Sequence, residues 1–158
     1  MNKYEYIRRF LPEAKEAEKL FGINPLVMLA QGAIESGWAT SRLATQHHNL
    51  FGITGYGKPN PYWSGTTVAL KEGGLSFRTY PSTQHSFLDF ARLIRAAYPM
   101  AAQVSYHPQA FAQEIAYSKY ISESNGDNRE NYRSMLISIA ATIKDNIHLL
   151  NLQETLCA

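Results

Sequence analysis

Apolar residues recur at three- and four-residue steps along most of the chain, and this helical rhythm breaks off once, between residues 49 and 81. Before the break, Ile7, Phe10, Ala14, Ala17 and Phe21 share one face, with Pro12 as a kink or a fresh start inside it. A second helix opens at Asn24-Pro25, an N-cap followed by a proline suited to the first turn, and Gly37 reads as its stop. After the break, Phe87, Phe90, Ala91, Ile94 and Ala97 follow Ser82, and Phe111 and Ile115 follow Pro108. The longest stripe carries Tyr132, Met135, Leu136, Ile139, Ile143 and Ile147. The interrupting segment is rich in Gly, Pro, Thr and aromatic residues. Within it, residues 66–71 and 75–80 alternate as two short strands around a Glu72-Gly73-Gly74 turn. The expected fold class is therefore α+β: a mostly helical body with a small β-hairpin lobe flanking a cleft, the natural place for a ligand.

At 158 residues, with 45% hydrophobic and 18% charged side chains, the chain suits one folded domain spanning residues 1–158. Its formal net charge of +2 is too small to point to a nucleic-acid groove. The single cysteine, Cys157, excludes an intramolecular disulfide and any CxxC metal or redox pair. His47-His48 is not read as a metal site, because adjacent side chains diverge and no third ligand lies nearby. No cofactor is expected. No apolar run approaches the roughly 18 residues of a membrane span. The first residues, MNKYEYIRRF, contain no apolar signal core, so synthesis in the cytoplasm without a Sec signal is expected.

The second helix is apolar or small from Leu26 to Ile34 except at Gln31, which makes it a central, buried element. Glu35 stands at its C-terminal end. Partial burial and the negative end of the helix dipole would both favour the protonated carboxyl, the form a general acid needs to protonate a glycosidic oxygen. A solvated carboxylate at a helix end is the other reading, and the pattern alone leaves both open.

The run Ala30-Gln31-Gly32-Ala33-Ile34-Glu35-Ser36-Gly37-Trp38 resembles the A-Q-x-A-L-E-S-G-W stretch of bacterial cell-wall glucosaminidases, glycoside hydrolase family 73. Ser41-Arg42-Leu43-Ala44 and Asn49-Leu50-Phe51-Gly52-Ile53 follow in the same order. Trp63-Ser64-Gly65 and Phe77-Arg78-Thr79-Tyr80-Pro81-Ser82 come next, then Ser86 and Asp89. The resemblance implies a lysozyme-like fold and hydrolysis of the β-1,4 bond on the reducing side of N-acetylglucosamine in peptidoglycan, with Glu35 at the family's general acid. It also implies a second carboxylate on the hairpin, where Glu72 is the only acidic residue between Glu35 and Asp89. Glu72 equally suits an exposed hairpin tip, and assistance by the substrate's own acetamido group would make a second carboxylate unnecessary.

In the family a late tyrosine contacts the sugar near the acid; Tyr120 fits it best, with Tyr117 as a rival and Tyr132 as the second tyrosine of that block. The intervening residues depart from the family pattern, and Asp127 is either a displaced counterpart of the family aspartate or a capping residue. Trp63, Tyr62 and Tyr56 lie in a polar loop, where stacking on sugar faces is expected; Phe51 and Phe77 suit the cleft floor or the core. Asn49 either bonds the substrate or pins the backbone entering the β-lobe. Trp38 packs either on Glu35 or into the core. Asn49, Phe51 and Trp63 are taken as the substrate-binding set beside Glu35, Glu72 and Tyr120.

The partners expected are peptidoglycan glycan strands and, for an injected antibacterial effector, an immunity or inhibitor protein that plugs the cleft. No nucleic-acid partner and no membrane span are expected, and the chain reads as a monomer. It would act on the cell wall after a specialised export route or lysis. A wall-binding module without turnover, a muramidase and a lytic transglycosylase are the alternatives on the same fold.

Overall fold

The structure, a computed structural model, describes residues 1–123 and 128–157; Asp127 lies outside them. Seven helices and one two-stranded antiparallel sheet are formed by the described residues: α1 (Lys3–Phe21), α2 (Pro25–Ser36), α3 (Arg42–His47), β1 (Thr67–Ala69), β2 (Ser76–Arg78), α4 (Thr83–Ala97), α5 (Pro99–Gln103), α6 (Pro108–Ala116) and α7 (Arg129–Cys157). The α+β architecture read from the sequence is the one observed.

Local chemistry sets the ends of these helices. Asn2 caps α1 through the Glu5 amide, and Glu5 returns a bond to the Asn2 backbone. Asn24 accepts from the Leu26 amide ahead of Pro25, and Ser82 caps α4. Pro12 neither starts nor ends anything: α1 runs through it, with Tyr6, Ile7, Phe10, Ala14 and Ala17 buried.

Helix α2 is the axis of the molecule. Residues 27–33 and Ser36 are buried, enclosed by α1, α6 and α7. Gly32 leaves no room for a side chain, because a Cβ there would lie 2.7 Å from the Tyr6 hydroxyl and 2.9 Å from Leu50. That space lets Tyr6 reach across and donate to the Leu29 carbonyl at 2.8 Å. Helix α4 packs on α1, and Phe90 stacks on Phe51 with centroids 4.0 Å apart, tying the start of the β-lobe to the helical body.

The hairpin pairs Thr67 with Arg78, Val68 with Phe77 and Ala69 with Ser76, three residues a side rather than the six expected. Along α7 the buried line is Tyr132, Leu136, Ala140, Ile143 and Leu150; Met135 is exposed, and Ile139 and Ile147 are half-buried. Among the described residues, no helix is long and apolar enough to cross a membrane.

Candidate active site

The main cleft, about 450 Å³, lies between the helical body and the segment that follows α3. Ile34 and Glu35 of α2 form its floor, residues 51–54 one wall, and Tyr120, Ile121, Tyr132 and Met135 the other. Leu93 and Tyr98 close it from the side of α4.

Glu35 is presented by an unusual helix exit. Gly37, Trp38 and Ala39 all adopt left-handed backbone, with φ of 58°, 58° and 64°. Such a run in two non-glycine residues costs free energy and persists only where the surroundings hold it. Ser36 does much of the holding. Its hydroxyl donates to the Gly32 carbonyl and accepts from the Ala39 amide at 2.8 Å, while its carbonyl accepts from Thr40 and Ser41. Trp38 packs edge-on against Tyr6, with Lys3 over its ring, so its contacts are with α1.

Glu35 is exposed at the cleft, where partial burial was expected. Its position in the last turn of α2, at the negative end of the helix dipole, remains. The Tyr132 hydroxyl donates to Glu35 Oε1 at 2.9 Å and in turn accepts from the buried Gln31 amide at 3.3 Å. Gln31 and Glu35 sit four residues apart on α2, so the three side chains form one line from core to cleft. Tyr120 packs near Tyr132, with ring centroids 6.4 Å apart; burial first, and the Glu35 carboxylate second, push its phenol well above the usual range.

The remaining expectations divide. Phe51 is buried at the cleft wall and stacked on Phe90. Asn49 is 1% exposed and wholly committed to backbone: it donates to the carbonyls of Ile53 and Arg78 and accepts from the Ile53 amide. It pins the entry to the β-lobe. Trp63 is 3% exposed, donates to the Thr66 carbonyl, and carries the Arg78 guanidinium 3.9 Å above its ring. A sugar cannot stack there. Tyr62 packs on Phe21, Tyr56 is exposed, and neither lines the cleft. Glu72 is exposed in the turn between β1 and β2 and is not among the cleft-lining residues. Tyr117 points to Glu130, outside the cleft.

Sequence reasoning missed the buried hub behind the wall. Asp89 is fully buried and accepts from Arg78 at 2.8 Å, Arg92 and Asn60 at 2.9 Å, and the Tyr80 hydroxyl. Arg78 also donates to the carbonyls of Thr54 and Tyr56. The F-R-x-Y stretch thus braces the wall from behind. It missed Leu93, Tyr98 and Lys119 as lining residues too. Among the described residues no cluster of three His, Cys, Asp or Glu could hold a metal.

FlgJ of Pseudomonas aeruginosa, a peptidoglycan hydrolase, is 32% identical over 135 residues, covering 75% of this chain and 33% of its own length. The chain therefore spans about a third of that relative. The glycoside hydrolase domain of Salmonella typhimurium FlgJ superposes with a TM-score of 0.70 at 20% identity, over 98% of this chain and 96% of that one. A type VI secretion effector–immunity complex from Pseudomonas protegens contains the same fold, with a TM-score of 0.59 at 17% identity over 89% and 93%. The family model described as Glucosaminidase, Mannosyl-glycoprotein endo-beta-N-acetylglucosaminidase, matches residues 11–145, and by that match, over most of its length, the chain belongs to this family of glycoside hydrolases.

Proposed function

We propose that the chain hydrolyses the β-1,4 bond on the reducing side of N-acetylglucosamine in peptidoglycan, with Glu35 as general acid. One observation carries the reading: Glu35 is the only carboxylate among the described residues lining the cleft, and a tyrosine hydroxyl fixes its orientation. Family membership and the FlgJ relative support the substrate.

In this reading the Glu35 carboxyl gives its proton to the bridging oxygen as the C1–O4 bond breaks. With Glu72 away from the lining, the substrate's 2-acetamido carbonyl oxygen attacks C1 and forms an oxazolinium ring. Water then opens the ring at C1 and passes a proton to the Glu35 carboxylate, which restores the acid. Phe51 and Tyr120 shape the cleft around the sugar. An immunity-type protein that plugs the cleft is the partner expected if the chain is delivered as an antibacterial effector, acting on the wall after export or lysis.

Digestion of purified peptidoglycan, followed by mass spectrometry, tests the reading. Reducing-end N-acetylglucosamine is expected. Reducing-end muramic acid indicates a muramidase, anhydro ends a lytic transglycosylase, and intact wall with retained binding a wall-binding module. Glu35→Gln is expected to abolish release with an unchanged circular dichroism spectrum; an active variant would falsify the assignment. Glu72→Gln is expected to retain activity.

A further inference from the structure

Two charged residues among the described residues line the cleft, Glu35 and Lys119. Lys119 is exposed and lies directly before Tyr120, on the wall opposite residues 51–54. Two acids that follow it in sequence are engaged elsewhere. Glu123 lies 3.8 Å from Arg129, and Glu130 accepts from Arg133 and from the Tyr117 hydroxyl. No carboxylate among the described residues forms an ion pair with Lys119.

A neutral pyranose calls for apolar surface and for both donors and acceptors. An ammonium offers donors alone and a full charge, which suits an anion. The anion has a definite place if Glu35 protonates O4 of the leaving sugar. On a muramic acid ring the neighbouring O3 carries the lactyl arm, which ends in a carboxylate or continues into a peptide stem bearing carboxylates. A cation in the cleft that holds the acid is therefore within the neighbourhood of that arm.

We infer that Lys119 is a specificity-determining residue that receives a carboxylate carried on the O3 arm of the leaving muramic acid; the inference rests on the glucosaminidase reading of the site. It distinguishes wall glycan from neutral chitin-like glycan, and it favours muramic acid on the leaving side of the bond.

Calorimetric titration of the full chain in the Glu35→Gln background tests this without turnover. Three ligands are compared: strands with peptide stems, strands stripped by an amidase so that lactyl carboxylates are free, and chito-oligosaccharides of equal length. Adding Lys119→Met is expected to lower the affinity ratio of anionic over neutral glycan about three- to fivefold at low salt, the range of one exposed charge pair. Lys119→Arg is expected to keep most of the ratio, and high salt to erase the difference. A fall confined to stem-bearing strands assigns the carboxylate to the peptide; a fall on stripped strands assigns it to the lactyl group. An unchanged ratio with both overturns the inference. Failure of the underlying reading shows separately, as muramic acid ends or no ends released by the wild-type chain.

Discussion

Tyr132 joins the core to the cleft through one oxygen atom. It donates to Glu35 and accepts from Gln31, whose own carbonyl oxygen is buried with no hydrogen-bond partner among the described residues. Removing the hydroxyl therefore acts in two directions at once. Tyr132→Phe removes a hydrogen bond that orients the Glu35 carboxylate, and it strands a buried amide donor on α2. Losing a hydrogen bond to a charged group is worth about 1.5–3 kcal/mol, so kcat on peptidoglycan is expected to fall roughly ten- to a hundredfold with little change in KM. The stranded amide adds a stability loss of about 1 kcal/mol in urea unfolding. A variant that loses stability but keeps kcat would show that the hydroxyl serves the core alone. Glu35 could be singled out from its flanking residues, because the helix end and the motif are local in sequence. Trp63 could not. Its loop is rich in Gly and Pro, but a guanidinium fifteen residues later covers the ring, and only the fold brings the two together.

Helix α1 carries a proline at a position where most helices would break. Pro12 sits nine residues into a nineteen-residue helix, is exposed, and cannot donate to the carbonyl one turn back. The helix survives because its other face is anchored in the core by Tyr6, Phe10 and Ala14. Pro12→Ala restores the missing donor without touching that face, and is expected to stabilise the fold by about 1–3 kcal/mol, read as a higher urea midpoint at constant slope. The same balance explains which elements were legible. The starts of α2, α4 and α6 follow from Asn24, Ser82 and Pro108, since capping acts over a few residues. Helices α3 and α5, six and five residues long, are too short to show a period. On α7 the expected stripe drifts: Ala140 and Leu150 take buried places and Met135 faces the cleft, because the helix meets α2, α6 and α1 in turn. The hairpin ladder is shorter than its alternation suggests: beyond its three pairs the Thr79 amide donates to the Thr66 carbonyl at one end, and at the other the Gly74 amide turns back on the Lys71 carbonyl.

At the scale of the whole molecule, the β-lobe and the helical body are joined electrostatically at Asp89, and acid should loosen that joint. Burial raises the carboxyl's pKa, but the Tyr80, Arg78 and Arg92 hydrogen bonds outweigh it and leave the value below the ordinary one. A depressed carboxylate contributes stability that is fully present above its unfolded pKa, about 3.9, and is lost as pH falls through the folded value. Two other groups bear on the same region. Glu130, held at about pKa 2 by Arg133 and Tyr117, acts in the same sense. Half-buried Glu13 is raised by burial and acts in the opposite sense, since its ionised form is the costly one in the fold. The wild-type acid limb therefore mixes three contributions, and a difference against Asp89→Asn isolates one. At pH 7 the variant leaves Arg78, 6% exposed, without its countercharge, and it is expected to lose about 3–5 kcal/mol. Below about pH 4 Asp89 takes a proton in the unfolded chain first, and only as pH falls through the lower folded value is the ion pair itself given up, so the gap between the two unfolding curves should narrow across that window. Urea titrations of both proteins from pH 7 to pH 2 measure that gap directly. A gap independent of pH would mean that Asp89 braces the cleft wall by its shape and hydrogen bonds, with no contribution from its charge.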